Sequence, residues 1–427
     1  KITSEGYYEY VKDIESLILD SDNNFIIGYK TFSGKEYAIP TPEDMKKILS
    51  KLDKPLLIVT IIFFIFGLIM ILSASSMESY MRYNYSPYHY FFRQAIFLGV
   101  GLIASLFVII FPTKNYKKID KVLLGTIILA LIGLIFYGHV ANQAVSWYKI
   151  GPFAIQPSEF AKIIIIIYLA VYYSKNKDKL DNQWNIIKPM IFIVIIAVLV
   201  ALQPDMGTAV IIGLIALAIF YATPMEKKSR SIFNKIFIGG ILLVVLVLIV
   251  AGGKFLQSYQ LDRFNYFNPC DRYQEKTGYQ LCNSFIAFKN GGIKGQGLGG
   301  STQKYLYLPE SYTDFIFPII VEEWGLIVGV IIILIYMFVL FRIIQIARRA
   351  NNLKNSLICY GVFVYLLLHI MINLLGVTGV IPLTGVPLPF LSYGGSYTIC
   401  LMIALSLVQR VSIETNIQKQ KELKKLS

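Results

Sequence analysis

Leu308-Pro309-Glu310-Ser311-Tyr312-Thr313-Asp314-Phe315-Ile316-Phe317, the centre of the stretch from Arg263 to Gly325, is the tail of the one long loop in a chain otherwise built of apolar runs. It sets Glu310 and Asp314 where the loop enters a hydrophobic helix, with Glu322 and Glu323 further along that helix. A carboxylate in lipid costs several kcal/mol unless it is paired or faces water, so an intramembrane one marks function by default. Asp314, at the water edge, is the leading candidate for chemistry.

Outward from that stretch, the 427 residues are 56% hydrophobic and 15% charged. Apolar runs of about twenty residues recur, each long enough to cross a bilayer core of about 30 Å as a helix. Only helices satisfy their own backbone groups there without closing a barrel. Hydropathy predicts ten spans, near 55–74, 90–111, 122–140, 159–173, 189–203, 206–222, 236–255, 314–341, 356–377 and 394–410. The expected fold is therefore an all-α polytopic membrane protein, with a membrane domain over 54–412 and a large outer loop over 256–313 before the eighth span. A basic tail, 413–427, follows. Residues 1–53 read as a small α+β cytoplasmic extension: a helix over Glu5 to Leu19, a hairpin of Phe25–Phe32 and Lys35–Ile39 around Ser33-Gly34, and a new helix from Thr41-Pro42. The polar N-terminus, with no apolar run before Pro55, predicts no cleavable signal peptide.

The net charge of +14 would suggest nucleic acid in a soluble protein, but here it follows the bias of membrane loops. Connections 113–121, 174–188, 223–235 and 342–354 each hold four Lys or Arg, whereas 75–89 and 141–158 hold one each and 379–393 holds none. That asymmetry places both termini in the cytoplasm and the long loop outside. Cys359 and Cys400 fall within spans as small apolar fillers, while Cys270 and Cys282 share the outer loop. An oxidising compartment permits a Cys270–Cys282 bridge, the alternative being two free thiols.

Candidate binding groups gather on the outer side. The loop combines Arg263, Lys289, Lys304 and other cations with glycines at 291, 292, 295, 297, 299 and 300, a composition suited to close approach and to phosphate. It lacks the Gly-Lys-Ser/Thr ending of a nucleotide P-loop. On an ideal helix Glu322 lies about 80° around from Asp314 and ~12 Å deeper, so both would look into one cavity, with Glu323 turned to a neighbouring helix. Arg93 and Lys162 are the candidate intramembrane cations for Glu322 and Glu323. Gln156-Pro157-Ser158-Glu159 opens the fourth span with Ser158 as its expected N-cap, Gln203-Pro204-Asp205-Met206-Gly207-Thr208 turns between the fifth and sixth, and 384–396, with Ser392 and Ser396, precedes the last.

Taken with Arg93-Gln94, Trp147, Gly278-Tyr279-Gln280, Leu308-Pro309-Glu310, Thr313 to Phe317, Glu322-Glu323 and Pro387 to Ser396, these segments resemble the SEDS family (shape, elongation, division and sporulation; RodA, FtsW, SpoVE) over about 55–412. The chain departs from the family pattern at Ser146, Tyr312 and His369, where Arg, His and Gln are usual. The resemblance implies a peptidoglycan glycosyltransferase of the bacterial cytoplasmic membrane. Such an enzyme polymerises lipid II outside the membrane, beside a class B penicillin-binding transpeptidase. It implies Asp314, with Glu310 beside it, as the catalytic carboxylate or as the holder of a divalent cation (Mg or Mn). Arg263, Lys289 and Lys304 are the expected pyrophosphate contacts, and Gln156, Ser158, Asp205, Ser392 and Ser396 line the substrate side. The alternative is a lipid II flippase, which would need polar groups reaching the cytoplasmic face. The spans read as mostly aliphatic toward that face.

Overall fold

The computed structural model describes residues 14–19, 26–31, 36–38, 46, 48–137, 139–141, 144–151, 153–180, 182–235, 238–239 and 266–426. It divides into two units, Lys1–Leu52 and Asp53–Ser427. In the first, β1 (Ile14–Leu19), β2 (Ile26–Thr31) and β3 (Glu36–Ala38) form an antiparallel sheet in sequence order. The β2–β3 pairing is the expected hairpin. The helix expected over Glu5 to Leu19 is corrected for its described part: Ile-Glu-Ser-Leu-Ile-Leu pairs with β2 as a strand. Its run of Leu17, Ile18 and Leu19 suits a strand once a partner strand exists.

The second unit is a helical bundle. Its long helices are α1 (Lys54–Tyr83), α2 (His89–Ile110), α3 (Tyr116–Tyr137), α4 (Pro157–Lys175), α5 (Gln183–Ala201), α6 (Met206–Ala222), α7 (Lys276–Gly291), α8 (Ile316–Arg349), α9 (Leu353–Val377) and α10 (Gly395–Leu426). Among the described residues, eight helical segments are long and apolar enough to cross a membrane, and α6 is a shorter apolar helix. These match nine of the ten expected spans; the tenth, 236–255, falls almost wholly outside the described residues. The chain is a multi-pass membrane protein.

Burial sorts the helices into centre and periphery. The most apolar windows of α4 and α10 are 78% and 83% buried, against 28–33% for α1, α2, α5 and α8. α4 packs on α3, α6, α9 and α10, so nearly every face of Ile163 to Val171 meets protein. The peripheral helices instead present side chains such as Ile58, Ile62, Ile65 and Phe107 outward, a pattern that suits lipid rather than water.

Side-chain caps set the starts of α1, α5, α6 and α9. Asp53 caps α1 by accepting from Leu56 N (3.0 Å), with Pro55 in the first turn. Its other oxygen pairs with Arg342 of α8 (2.5 Å), and its backbone exchanges hydrogen bonds with Gln409 of α10 (2.8 and 3.1 Å). One residue thereby stitches three helix ends together. Asn84, left-handed at φ 52°, closes the other end of α1. The expected cap at Ser158 is corrected: Pro157 takes the first helical position, where its missing N–H costs nothing, so the cap falls on Gln156.

Two connections carry structure that hydropathy does not report. Between α3 and α4, β4 (His139–Ala141), β5 (Ala144–Ile150) and β6 (Phe153–Ile155) form a second antiparallel sheet. Within the long loop, α7 lays Leu281, Cys282, Ser284 and Ala287 inward, and Ser284 donates to the carbonyl of Val377 at the end of α9 (2.8 Å). A Cys270–Cys282 disulfide ties α7 to the 3-10 turn Pro269–Arg272. Replacing both cysteines with serine removes a cross-link spanning a separation of 12 residues, worth about 3 kcal/mol by chain entropy. Hydrogen exchange of the α7 amides should accelerate by about two orders of magnitude in that variant while the α4 amides stay protected.

Candidate active site

Asp314 sits in the turn that delivers the chain into α8, and the turn's backbone is held from three directions. Asn373 of α9 donates from its Nδ2 to the carbonyls of Asp314 (2.8 Å) and Val386 (2.9 Å). The Ser392 hydroxyl donates to the carbonyl of Thr313 (2.6 Å) while accepting from Leu388 N (2.8 Å), and Tyr393 N donates to the carbonyl of Tyr312 (2.9 Å). Ser311 donates to Ala74 of α1 (3.2 Å). The turn closes on Glu310, at φ 56°, whose carbonyl accepts from Thr313 N and Phe315 N and whose carboxylate accepts from the Thr313 hydroxyl (2.8 Å). Asp314 itself is half-buried. Its Oδ2 lies 3.3 Å from where a Cβ on Gly385 would stand, and Gly385 has φ 72°, so a side chain there would be strained and would press on the carboxylate.

Three tyrosines roof this turn. Tyr90, Tyr312 and Tyr393 meet pairwise with ring centroids 4.5, 5.1 and 5.7 Å apart. Burial pushes the Tyr393 phenol up to about 12, and burial together with the neighbouring Tyr90 drives Tyr312 upward as well. Both remain neutral at physiological pH, able to pack and donate hydrogen bonds but not to act as bases. Glu78 pairs with Arg82 (2.9 Å) near the C-terminal end of α1, close enough for the Glu310 charge to be felt.

A second polar group forms around the start of α4. Asp205 caps α6 by accepting from Thr208 N (3.1 Å) and takes a hydrogen bond from Gln156 Nε2 on its other oxygen (3.1 Å). Gln156 N donates to the Ser396 hydroxyl (2.9 Å), which reaches the carbonyl of Ala154. Beneath them Lys162, 1% exposed, pairs with Glu159 (2.8 Å) and stands 3.1 Å from His369 Nε2, whose Nδ1 is 3.4 Å from the carbonyl of Pro387. Ser158 is buried just above this pair. Segment 385–396 touches both groups, through Val386 and Ser392 on one side and Pro387 and Ser396 on the other. Gln156, Asp205, Ser392 and Ser396 are thus tied to one framework with Asp314.

The glutamates and glycines of the long loop behave differently from expectation. Glu322 is fully buried and accepts from Ser301 Oγ, Thr302 N and Oγ1, Gln303 N and Asn290 Nδ2. Glu323 accepts from Ser73 (2.7 Å) and pairs with Lys304 (2.8 Å). Three expectations are corrected. The cation of Glu323 is Lys304, not Arg93 or Lys162: Lys162 has its own partner, and Arg93 lies over the Phe153 ring at 5.9 Å. Lys304, expected on pyrophosphate, is 4% exposed and engaged in that pair. Asp314 and Glu322 do not share a helical phase, because α8 begins only at Ile316. Three of the loop glycines, Gly291, Gly295 and Gly300, stand against backbone that a Cβ would strike. α8 breaks at Gly325 (φ 82°, ψ 170°), where Gln296 N and Gly297 N donate to the carbonyls of Glu322 and Glu323, and Leu326 N donates to Gly292 O. A Cβ on Gly325 would stand 2.3 Å from the carbonyl oxygen of Ile293. Of the remaining expected pyrophosphate contacts, Lys289 is exposed on α7 and Arg263 lies outside the described residues.

With this geometry in place, comparison with known proteins is direct. The family model that joins FtsW, RodA and SpoVE, described as "Cell cycle protein", matches residues 53–417. The chain belongs to this family. A Bacillus subtilis (strain 168) relative named "Probable peptidoglycan glycosyltransferase FtsW" is 37% identical over 385 residues, 89% of this chain and 95% of that protein. "Stage V sporulation protein E" of the same organism is 36% identical over 84% of this chain and 96% of its own. Among solved structures, one from "Structural coordination of polymerization and crosslinking by a peptidoglycan synthase complex" aligns with TM-score 0.66 at 23% identity, covering 85% of this chain and 98% of that one. The Thermus thermophilus rod shape determining protein RodA aligns at 0.60 and 22%, covering 85% and 97%. At that identity the structures bear on the fold alone.

Within this family member, the three departures from the pattern have plain surroundings. Ser146 is buried and donates to the carbonyl of Gln203 (3.3 Å), Tyr312 completes the tyrosine roof, and His369 faces Lys162. Sequence reading did not single out Asn373 or Glu78. Glu78, a carboxylate at the end of an apolar run and four residues before Arg82, carried the same signal that pointed to Asp314.

No three His, Cys, Asp or Glu side chains cluster as metal ligands among the described residues. One carboxylate plus substrate oxygens is nevertheless how Mg²⁺ is commonly held at phosphate sites, and Asp314 fits that donor set. Lys304→Met strands Glu323 in a dry site and should cost about 3–5 kcal/mol. Adding Glu323→Gln should recover most of that loss, read by denaturant unfolding in detergent.

Proposed function

We propose that this chain is a peptidoglycan glycosyltransferase that polymerises lipid II at the outer face of the bacterial cytoplasmic membrane, in elongation or division, beside a class B penicillin-binding transpeptidase. The observation that carries the reading is the Asp314 carboxylate, half-buried at one end of the bundle on a backbone pinned by Asn373 and Ser392. Curated relatives named for this activity match it over most of their length. The lysine-rich connections at the opposite end support an outward-facing site.

In this reading Asp314 takes the proton from the acceptor sugar's 4-hydroxyl as that oxygen bonds to the donor's anomeric carbon. The bond from that carbon to the polyprenyl pyrophosphate breaks, and the electron pair leaves with the phosphate. Lys289 and Arg263 are the chain's cations for the developing charge. A divalent cation held by Asp314 and the pyrophosphate would supply further charge neutralisation. Glu310, bonded to Thr313, fixes the turn rather than competing for the proton. Gly385, having no side chain, leaves room beside the Asp314 carboxylate.

Asp314→Ala and Asp314→Asn should each lower polymerisation of labelled lipid II by at least about a hundredfold, with thermal unfolding unchanged. Glycan ladders on a gel, with the transpeptidase and Mg²⁺ or Mn²⁺ present, check this. Ladders of wild-type intensity from either variant would remove Asp314 from catalysis. Wild-type protein that makes no ladder but moves lipid II across vesicles would replace the enzyme with the flippase reading.

A further inference from the structure

At the end of the bundle opposite Asp314, a groove of about 460 Å³ opens between the α2–α3 junction, the start of α9 and the last turns of α10. Its walls carry Lys114, Lys354, Arg410 and Lys421 against a single carboxylate, Glu414. Arg410, Glu414, Gln418 and Lys421 follow one another at spacings of four, four and three, so one face of α10 forms a whole wall.

The floor is already satisfied. Glu414 accepts from Thr113 N (2.8 Å), Thr113 Oγ1 (2.6 Å), Asn355 Nδ2 (3.0 Å) and Arg410 Nε (3.0 Å). Arg410 also donates to the carbonyl of Ile109 (2.8 Å), and Lys354 Nζ donates to the carbonyl of Thr113 (2.7 Å). The only anion is thereby spent on Arg410 and on neutral donors, which leaves the groove with net positive charge. Lys114 and Lys421 stand exposed at its rim, and beside them Asn351, Asn352 and Gln418 tie their amides together, Asn351 Nδ2 donating to Gln418 Oε1 (2.7 Å) and Asn352 Nδ2 to Asn351 Oδ1 (2.8 Å). Cations gathered without a matching anion suit phosphate. The groove lies at the ends of membrane-spanning helices, on the side where the connections are lysine-rich, so the phosphate within reach is a lipid headgroup.

We infer that this groove binds the phosphodiester headgroup of an anionic phospholipid of the inner leaflet, with Lys114 and Lys421 as its outer clamps and Lys354 and Arg410 below. Juxtamembrane cations contribute about 1 kcal/mol each toward anionic lipid. The lipid joins α2, α3, α9 and α10 where Asp53 does not reach. This site is independent of the chemistry assigned to Asp314.

The test uses the full chain in a neutral detergent, titrated with phosphatidylglycerol, phosphatidylcholine or inorganic phosphate, with melting temperature as the readout. Phosphatidylglycerol should raise the melting temperature saturably, and phosphatidylcholine should not. Lys114→Gln/Lys421→Gln should weaken the apparent affinity for phosphatidylglycerol roughly thirtyfold. Lys177→Gln/Lys179→Gln, exposed lysines in another basic connection, should leave it within about twofold of wild type. Equal weakening in both doubles would overturn the site in favour of diffuse charge. Equal stabilisation by inorganic phosphate at the same concentration would overturn the lipid assignment, and no stabilisation of the wild type would overturn binding altogether.

Discussion

Non-helical backbone at the end of an apolar bundle must find a partner for each N–H and C=O, because lipid offers none. The structure turns on how segment 385–396 meets that demand. Its own carbonyls and hydroxyls take Asn373, His369, Gln156 and Thr313 as partners, so in satisfying itself it also fixes the Asp314 turn and the start of α4. The anchoring bonds to the turn run to the carbonyls of Tyr312, Thr313 and Asp314.

The buried charges follow the same logic at higher stakes. Lys162 with Glu159 and Lys304 with Glu323 each bring a full charge into surroundings that penalise it by several kcal/mol when unpaired. Each pair is completed by neutral groups, His369 in one case and Ser73 in the other. Such pairs add little net stability over an apolar substitute, and the Lys304–Glu323 pair joins the long loop to α8.

How much of this was readable beforehand depends on the range of the interaction. Apolar length is a local property, and nine spans appeared where hydropathy put them. Asp314, Asp205 and Gln156 were legible because a polar residue at the edge of an apolar run is conspicuous without knowing its neighbours. The partner of Glu323 was not, since Lys304 lies in a loop whose path depends on the break at Gly325. The backbone contacts of Gly291, Gly295 and Gly300 were illegible for a related reason. Glycine reports that something comes close, and sequence does not say whether that is a phosphate or the chain's own helix. α7 was hidden by its polar, glycine-bearing composition, although Leu281, Ser284 and Ala287 share one face. Ile14–Leu19 took the sheet because β2 offered it an edge, which no helical wheel records.

The break at Gly325 also orders events during synthesis. Residues 292–297 leave the ribosome before the helix they are built to splint, and their backbone groups have no counterpart until Glu322 to Ile327 follows. α8 in turn cannot bend at the observed point without them. Loop and helix therefore depend on one another, and the Asp314 turn, which lies between the two halves of that clasp, gains its remaining anchors only when Asn373, Ser392 and Tyr393 follow.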